Sequence, residues 1–320
     1  MPIFKLFSKK VLYTLASLVL LFLLIFISYS IPPKNFPEKK IVSVKSGQYL
    51  STIATNLENA DIIKSPFLLK IFVVLFSGHR QVLAGDYLFD KPESVLRIAY
   101  RLVNGEQGIP KYKVTIMEGM SARQIANTIQ KSIPAFDTET FMVLSKPYEG
   151  FLFPDTYFFY ENATPEAVIE QLRGTFMQKI KTQLLSIQAF GKSLEDVVIM
   201  ASIVEKEASN MNDRKIIAGI LWKRLEIGMP LQVDAPFYYT LGKDSLSLLK
   251  TDLTKDTPYN TYTNKGLTPT AIGNPGLGAI EATVNPTKTK YLFYLSDNKG
   301  VTHYAVDHDE HVANKVKYLR

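Results

Sequence analysis

The hydrophobic positions along the chain change their period several times, and each change marks an element. From Val11 to Ile31 runs an uncharged stretch of 21 residues, preceded by Lys5, Lys9 and Lys10 and closed by Pro32-Pro33. At about 1.5 Å per residue, a helix of that length matches the ~30 Å hydrocarbon of a bilayer. A cleaved signal peptide has a shorter apolar run and a small-x-small cleavage site, which Ser28-Tyr29-Ser30-Ile31 does not supply. The expectation is an uncleaved anchor over 11–31, a tail over 1–10 and a Pro- and Lys-rich linker over 32–40. Lys34, Lys39, Lys40 and Lys45 roughly balance the basic N-terminus, so charge alone leaves the orientation open. So short a tail favours the tail inside and the long C-terminal part translocated.

Two later segments share one register. Val44-Lys-Ser-Gly47 leads to Ile53, Ala54 and Leu57, and Val114 to Gly119 leads to Ile125, Ala126 and Ile129. Each reads as a strand, a glycine turn and a helix, which marks a duplicated small unit. In the first copy, 67–76 would be a second helix, 84–89 a closing strand, and 94–104, stopped by Gly105, a third helix. That order resembles a LysM-type carbohydrate-binding module, here over 41–110. Residues 111–320 read as a mixed α+β domain. Its strand 113–117 is followed by helices over 121–131, 137–144 and 165–185, and a further helix at 211–227 is capped by Asn212 or Asp213. Strands at 291–296 and 302–305 and a helix at 311–319 close the chain. The fold class expected is α+β.

The run Ser193 to Ala208 is a strongly apolar helix with Ser193 as its N-cap. At about 100° per residue, Leu194, Val198, Ala201, Glu205 and Ala208 share one side, and Glu195, Asp196, Lys206 and Glu207 gather on the other. Glu205 is the polar residue out of place. A carboxylate at the edge of an apolar stripe is poorly solvated, so its pKa rises and it can hold a proton to donate. The alternative is a Glu that bends to water or pairs with a cation, Arg214 or Arg224 being available. Glu207 reads as a solvated helix charge.

Composition narrows the chemistry. The 320 residues are 46% hydrophobic, enough for two or three compact units, and carry a net charge of +7. No Lys/Arg patch interleaved with aromatics stands out, so nucleic acid is not an expected partner. The absence of cysteine removes disulfides, thiol nucleophiles and thiolate metal sites. Of the histidines, His79 stands apart. His303, His308 and His311 lie near Asp307, Asp309 and Glu310, the residue types of a metal site, although the reading adopted has no metal and no cofactor. There is no His-Glu-x-x-His, Gly-x-Ser-x-Gly or phosphate-binding glycine loop.

Two tracts carry candidate binding residues. Glu149 to Phe159 packs five aromatics around Glu149 and Asp155, with Phe153 and Tyr157 alternating as in a core strand. Aromatic rings and carboxylates are also what sugars stack on and bond to. From Met229 to Gly276, turns carry Gln232, Asp234, Tyr259, Asn260, Tyr262 and Asn274, a clustering that suits a cleft for a hydroxyl-rich ligand.

The blocks Ala201-Ser-Ile-Val-Glu-Lys-Glu-Ala208, Glu149-Gly-Phe-Leu-Phe-Pro-Asp-Thr-Tyr157, Met229-Pro-Leu-Gln232 with Asp234, Tyr259-Asn-Thr-Tyr262 and Asn274-Pro-Gly276 resemble, in order, the signature blocks of the YceG-like (MltG) family of endolytic murein transglycosylases. Val233, Ala235-Pro236-Phe237, Thr268 and Thr270 depart from that pattern. The resemblance implies a single-pass inner-membrane enzyme with its catalytic domain on the outer side and Glu205 as the catalytic acid. Peptidoglycan strands would be the substrate and cell-wall synthases potential partners. It also implies scission of the MurNAc–GlcNAc bond that leaves a 1,6-anhydro end, terminating nascent glycan strands. Two rivals stand beside it: a lysozyme-like hydrolase that uses Asp234, Asp155 or Glu149 as second carboxylate, and a tethered wall-binding scaffold without catalysis.

Overall fold

The computed structural model describes residues 9–78, 81–243 and 247–319, so His79 lies outside the described residues. The chain divides into two compact units, Met1–Pro110 and Lys111–Arg320. The fold is mixed α+β.

In the first unit, helix α1 spans Lys9–Ser30. Its stretch Val11–Ser30 is long and apolar enough to cross a membrane, and none of it is buried in protein. Strand β1 (Lys40–Val44), helices α2 (Leu50–Asn59) and α3 (Pro66–Ser77), strand β2 (Gly85–Phe89) and helix α4 (Val95–Asn104) follow. β1 and β2 pair antiparallel, from Lys40 opposite Phe89 to Val44 opposite Gly85. Capping sets the helix ends. Ser65 and Ser94 accept from the N–H groups of Leu68 and Arg97, and Gly78 and Gly105 close α3 and α4 in the left-handed region. Ile53, Ala54, Leu57, Leu69, Tyr87, Phe89 and Ile98 fill the core. Arg101 is buried with them because its guanidinium meets Glu93 at 2.9 Å and the carbonyls of Leu88, Glu106 and Gln107.

The second unit opens with the same order of elements: β3 (Lys111–Thr115), α5 (Ala122–Ser132), α6 (Thr138–Ser145), β4 (Thr156–Tyr160) and α7 (Pro165–Ile180). β3 and β4 pair antiparallel as β1 and β2 do. Gly47 and Gly119 both turn at φ +76, and Ile125, Ala126 and Ile129 are buried as their counterparts are. The remaining elements are α8 (Leu184–Phe190), α9 (Leu194–Glu207), α10 (Met211–Glu226), α11 (Ala235–Leu241), α12 (Lys250–Leu253), α13 (Leu277–Val284), β5 (Phe293–Ser296), β6 (Thr302–Ala305) and α14 (His308–Tyr318).

Several boundaries differ from those read off the sequence. The expected helix 165–185 is two helices, because the chain turns at Thr182 and Gln183 to bring Ile187 into the core. α10 is capped by Asn210, whose side chain accepts from the Asp213 N–H, and not by Asn212 or Asp213. The last helix starts earlier, at His308, because Asp307 caps it. α9 is the central helix: Val197 to Val204 are buried without interruption, which brings it against α10 and α13.

Candidate active site

α9 ends in three charged residues, and each meets a different environment. The helix starts where Ser193 accepts from the Asp196 N–H at 3.0 Å, and its last turn carries Glu205, Lys206 and Glu207. Ser202, one turn earlier and fully buried, donates to Ile199 O and accepts from the Ile272 N–H at 3.0 Å. That bond pins the helix to the loop before α13.

The Glu205 side chain is 5% exposed. Its Oε1 accepts from Arg214 on the first turn of α10, and its Oε2 accepts from the Gly276 N–H at 2.9 Å. Gly276 is the N-cap of α13, so the carboxyl sits on the positive end of that helix. Arg214 is fixed in turn by donating to Ala208 O at 2.9 Å, and it lies 4.0 Å from the half-exposed Glu118. An added Cβ at Gly276 would fall 1.8 Å from Glu118 Oε1, so a larger residue here would displace the half-exposed Glu118 side chain. Burial raises the Glu205 pKa above the ordinary carboxylate value and outweighs the opposing Gly276 bond and Arg214 charge, with Glu118 adding to the rise.

A cavity of about 1310 Å³ opens beside this turn, lined by Lys206 and Glu207 among others; Glu205 lies outside its lining. Glu207 is the correction to the helical-wheel reading. Half-buried on the cavity wall, it accepts from the Tyr294 hydroxyl at 2.9 Å, and burial, helped by the charge of Asp234 and opposed by the Tyr294 bond and Arg224, pushes it up to about 7. The wheel could not show this because the covering elements, β5 and the loop at 231–234, come from later in the chain.

The other expected site residues separate into two groups. Glu149, Gln232, Asp234 and Tyr262 line the cavity. Asp234 Oδ1 accepts from the Tyr262 hydroxyl at 2.6 Å, and Gln232 holds a left-handed φ of +50, a strained conformation for a non-glycine residue. Glu149 accepts from the Ala122 N–H at the start of α5 and from Tyr239, and burial pushes it up to about 7.

The second group lies away from the cavity wall, contrary to the cleft expected from composition. Asn274 is wholly buried and acts as a latch: its Oδ1 accepts from the N–H groups of Gly150 and Leu152, and its Nδ2 donates to Met120 O and Glu149. Asn260 is buried too, and its Nδ2 donates to the carbonyls of Leu253 and Lys255. Tyr259 bonds Thr270 at 2.8 Å, so the departure at Thr270 supplies that tyrosine's partner; Thr268 is buried against Thr270 O and Val233 is buried in the core. Phe153 and Tyr157 are core residues, the Tyr157 hydroxyl donating to Phe153 O. Asp155 is 42% exposed and pairs with Lys179 at 3.4 Å. In the histidine tract, His303 pairs with Asp297 and stacks on Tyr318, and His308 and His311 pack against Phe293.

A buried acid at a helix N-terminus, beside a large polar cavity in an α+β unit, is an arrangement suited to acid–base chemistry on a bulky polar ligand. The sequence matches the profile of the YceG-like family over residues 42–317, and the chain belongs to that family. It is 32% identical over 305 residues to an endolytic murein transglycosylase of Bacillus subtilis strain 168, a match spanning 87% of this chain and 84% of the relative. A relative of the same name from Streptococcus pneumoniae D39 is 30% identical over 334 residues, 90% of this chain and 60% of that one. Among solved structures, a YceG-like protein from Listeria monocytogenes superposes with a TM-score of 0.58 at 28% identity, covering 86% of this chain and 99% of the other.

Proposed function

We propose that the chain is a membrane-anchored endolytic lytic transglycosylase of peptidoglycan, with Glu205 as its general acid and then its general base. The observation that carries this is a buried carboxyl whose proton affinity is raised while Arg214 and the Gly276 N–H stand ready to receive its charge. Protonated Glu205 donates to the oxygen joining C1 of N-acetylmuramic acid to N-acetylglucosamine, and that C1–O bond breaks. The resulting carboxylate accepts the proton of the muramyl 6-hydroxyl as its oxygen bonds to C1. The product is a 1,6-anhydro end, formed without an activated water and therefore without the second carboxylate of a hydrolase. α1 is the anchor, with the N-terminus inside and both units outside, and 41–110 serves as a LysM-like module that holds the strand. Nascent glycan strands, and through them cell-wall synthases, are the partners this placement offers.

One observation favours a second assignment of the acid. Glu207 faces the cavity and titrates near neutrality, which also suits a proton donor. The two variants Glu205→Gln and Glu207→Gln, assayed on purified peptidoglycan, separate the readings. With Glu205 as the acid, its variant loses cleavage about 100-fold or more, the usual worth of a positioned acid, and the Glu207 variant retains most of it. Unchanged cleavage by Glu205→Gln removes that residue from the mechanism, and loss confined to Glu207→Gln transfers the role.

A further inference from the structure

Helix α3 is apolar on both of its sides. Leu68, Leu69 and Val73 enter the core of the first unit, whereas Phe67, Ile71, Val74 and Leu75, at positions i, i+4, i+7 and i+8, form an opposite stripe that is exposed. Leu75 is 72% and Phe67 66% accessible. Leu83 and, from α4, Leu96 and Tyr100 are exposed as well, and Phe76 meets the Tyr100 ring edge-on at 5.7 Å. An exposed aliphatic and aromatic stripe of this kind on α3 is a docking surface, and its chemistry does not suit a polar glycan.

Its position identifies the occupant. The Phe72 ring of α3 lies 6.2 Å from the Phe26 ring of α1, and Lys64, just before α3, donates to Ser28 O at 3.1 Å. Phe26 stands one turn before the end of α1, about 6 Å inside the apolar span at 1.5 Å per residue. A helix touching α1 at that depth lies where acyl chains meet headgroups. Twelve residues, about 18 Å, are too short to cross and long enough to lie in that plane. Lys34, Lys39 and Lys40 after the span and Lys70 on α3 are exposed cations suited to the headgroup level.

We propose that the outer face of α3 inserts into the leaflet from which α1 emerges, so that the first unit lies on the bilayer at two points. The inference rests on α1 being an anchor. A bilayer contact through α3 fixes the tilt of that unit, where a single helix followed by a linker would leave it free.

The natural absence of cysteine allows a direct test with the full chain. Leu20→Cys on α1, Ile71→Cys and Leu75→Cys on α3 and Asn56→Cys on α2 are each labelled with bimane and reconstituted in phosphatidylcholine–phosphatidylglycerol vesicles. All four sites are exposed, so the label disturbs no core packing. Quenching by nitroxide on the acyl chains is compared with quenching by aqueous iodide. The expected result is lipid quenching at 71 and 75 close to that at 20 and several-fold above that at 56, with iodide showing the reverse order. Iodide access at 71 and 75 equal to that at 56, with 20 lipid-quenched, overturns the inference and leaves the anchor. Iodide access at 20 overturns the anchor and this inference with it. Protection of 71 and 75 from both quenchers means a second copy covers the face, which also overturns it.

Discussion

Three carboxyls in the second unit have their proton affinity raised by the same cause, burial, and differ in what opposes it. Glu149 and Glu207 are pushed up to about 7, and Glu205 is raised against Arg214 and Gly276. A raised folded pKa means that the folded state holds a proton the unfolded chain has released. Stability from Glu149 or Glu207 is therefore fully present below about 4.5 and lost as pH rises through about 7. For Glu149 the loss amounts to roughly 3 kcal/mol across that window. The melting temperature is accordingly higher at pH 5 than at pH 8, and Glu149→Gln, followed by circular dichroism, shows a flatter slope; an unchanged slope contradicts the assignment. Arg214 acts in the opposite sense on Glu205. Arg214→Gln removes a charge that lowers its pKa and frees Glu118 to raise it further, so the alkaline limb of the kcat/KM profile moves to higher pH. A limb that stays in place, or moves down, contradicts the pairing.

At the scale of elements, α9 is positioned by contacts that local sequence does not contain. Ser202 holds Ile272, and Asn274 gathers Met120, Glu149, Gly150 and Leu152. Gly150 is held close on two sides: it turns at φ +93, and an added Cβ would lie 2.6 Å from both Val198 and Ala271. Gly150→Ala therefore combines strain with overpacking and costs about 3 kcal/mol, read as a drop in melting temperature with near-normal cleavage by the folded fraction. An unshifted melting temperature would contradict that packing. The helix carrying Glu205, its Ser193 cap and the repeated strand–turn–helix unit were legible because each depends on residues within one or two turns. Arg214 was visible as one of two candidate partners. The burial of Glu207, the latch role of Asn274 and the Gly276 N–H that binds Glu205 were not legible, because each arises where segments tens to more than a hundred residues apart meet. Composition placed Asn274, Asn260 and Tyr259 in a cleft; the same polar groups instead satisfy buried backbone and hydroxyl partners of a long loop region.

At the scale of the molecule, an apolar helix, a small unit with an apolar outer helix and a larger unit carrying the acid follow one another along the chain. Membership of the YceG-like family joins these parts to relatives named as endolytic murein transglycosylases. The central claim is that one carboxyl breaks the glycan by passing its proton to the leaving sugar and taking one from the muramyl hydroxyl, with no water consumed. The most direct measurement is mass spectrometry of the ends released when the full chain cleaves purified peptidoglycan in water enriched in heavy oxygen. The account predicts ends lighter by one water than reducing sugars and free of the heavy isotope. Reducing ends carrying heavy oxygen would contradict it and establish a hydrolase.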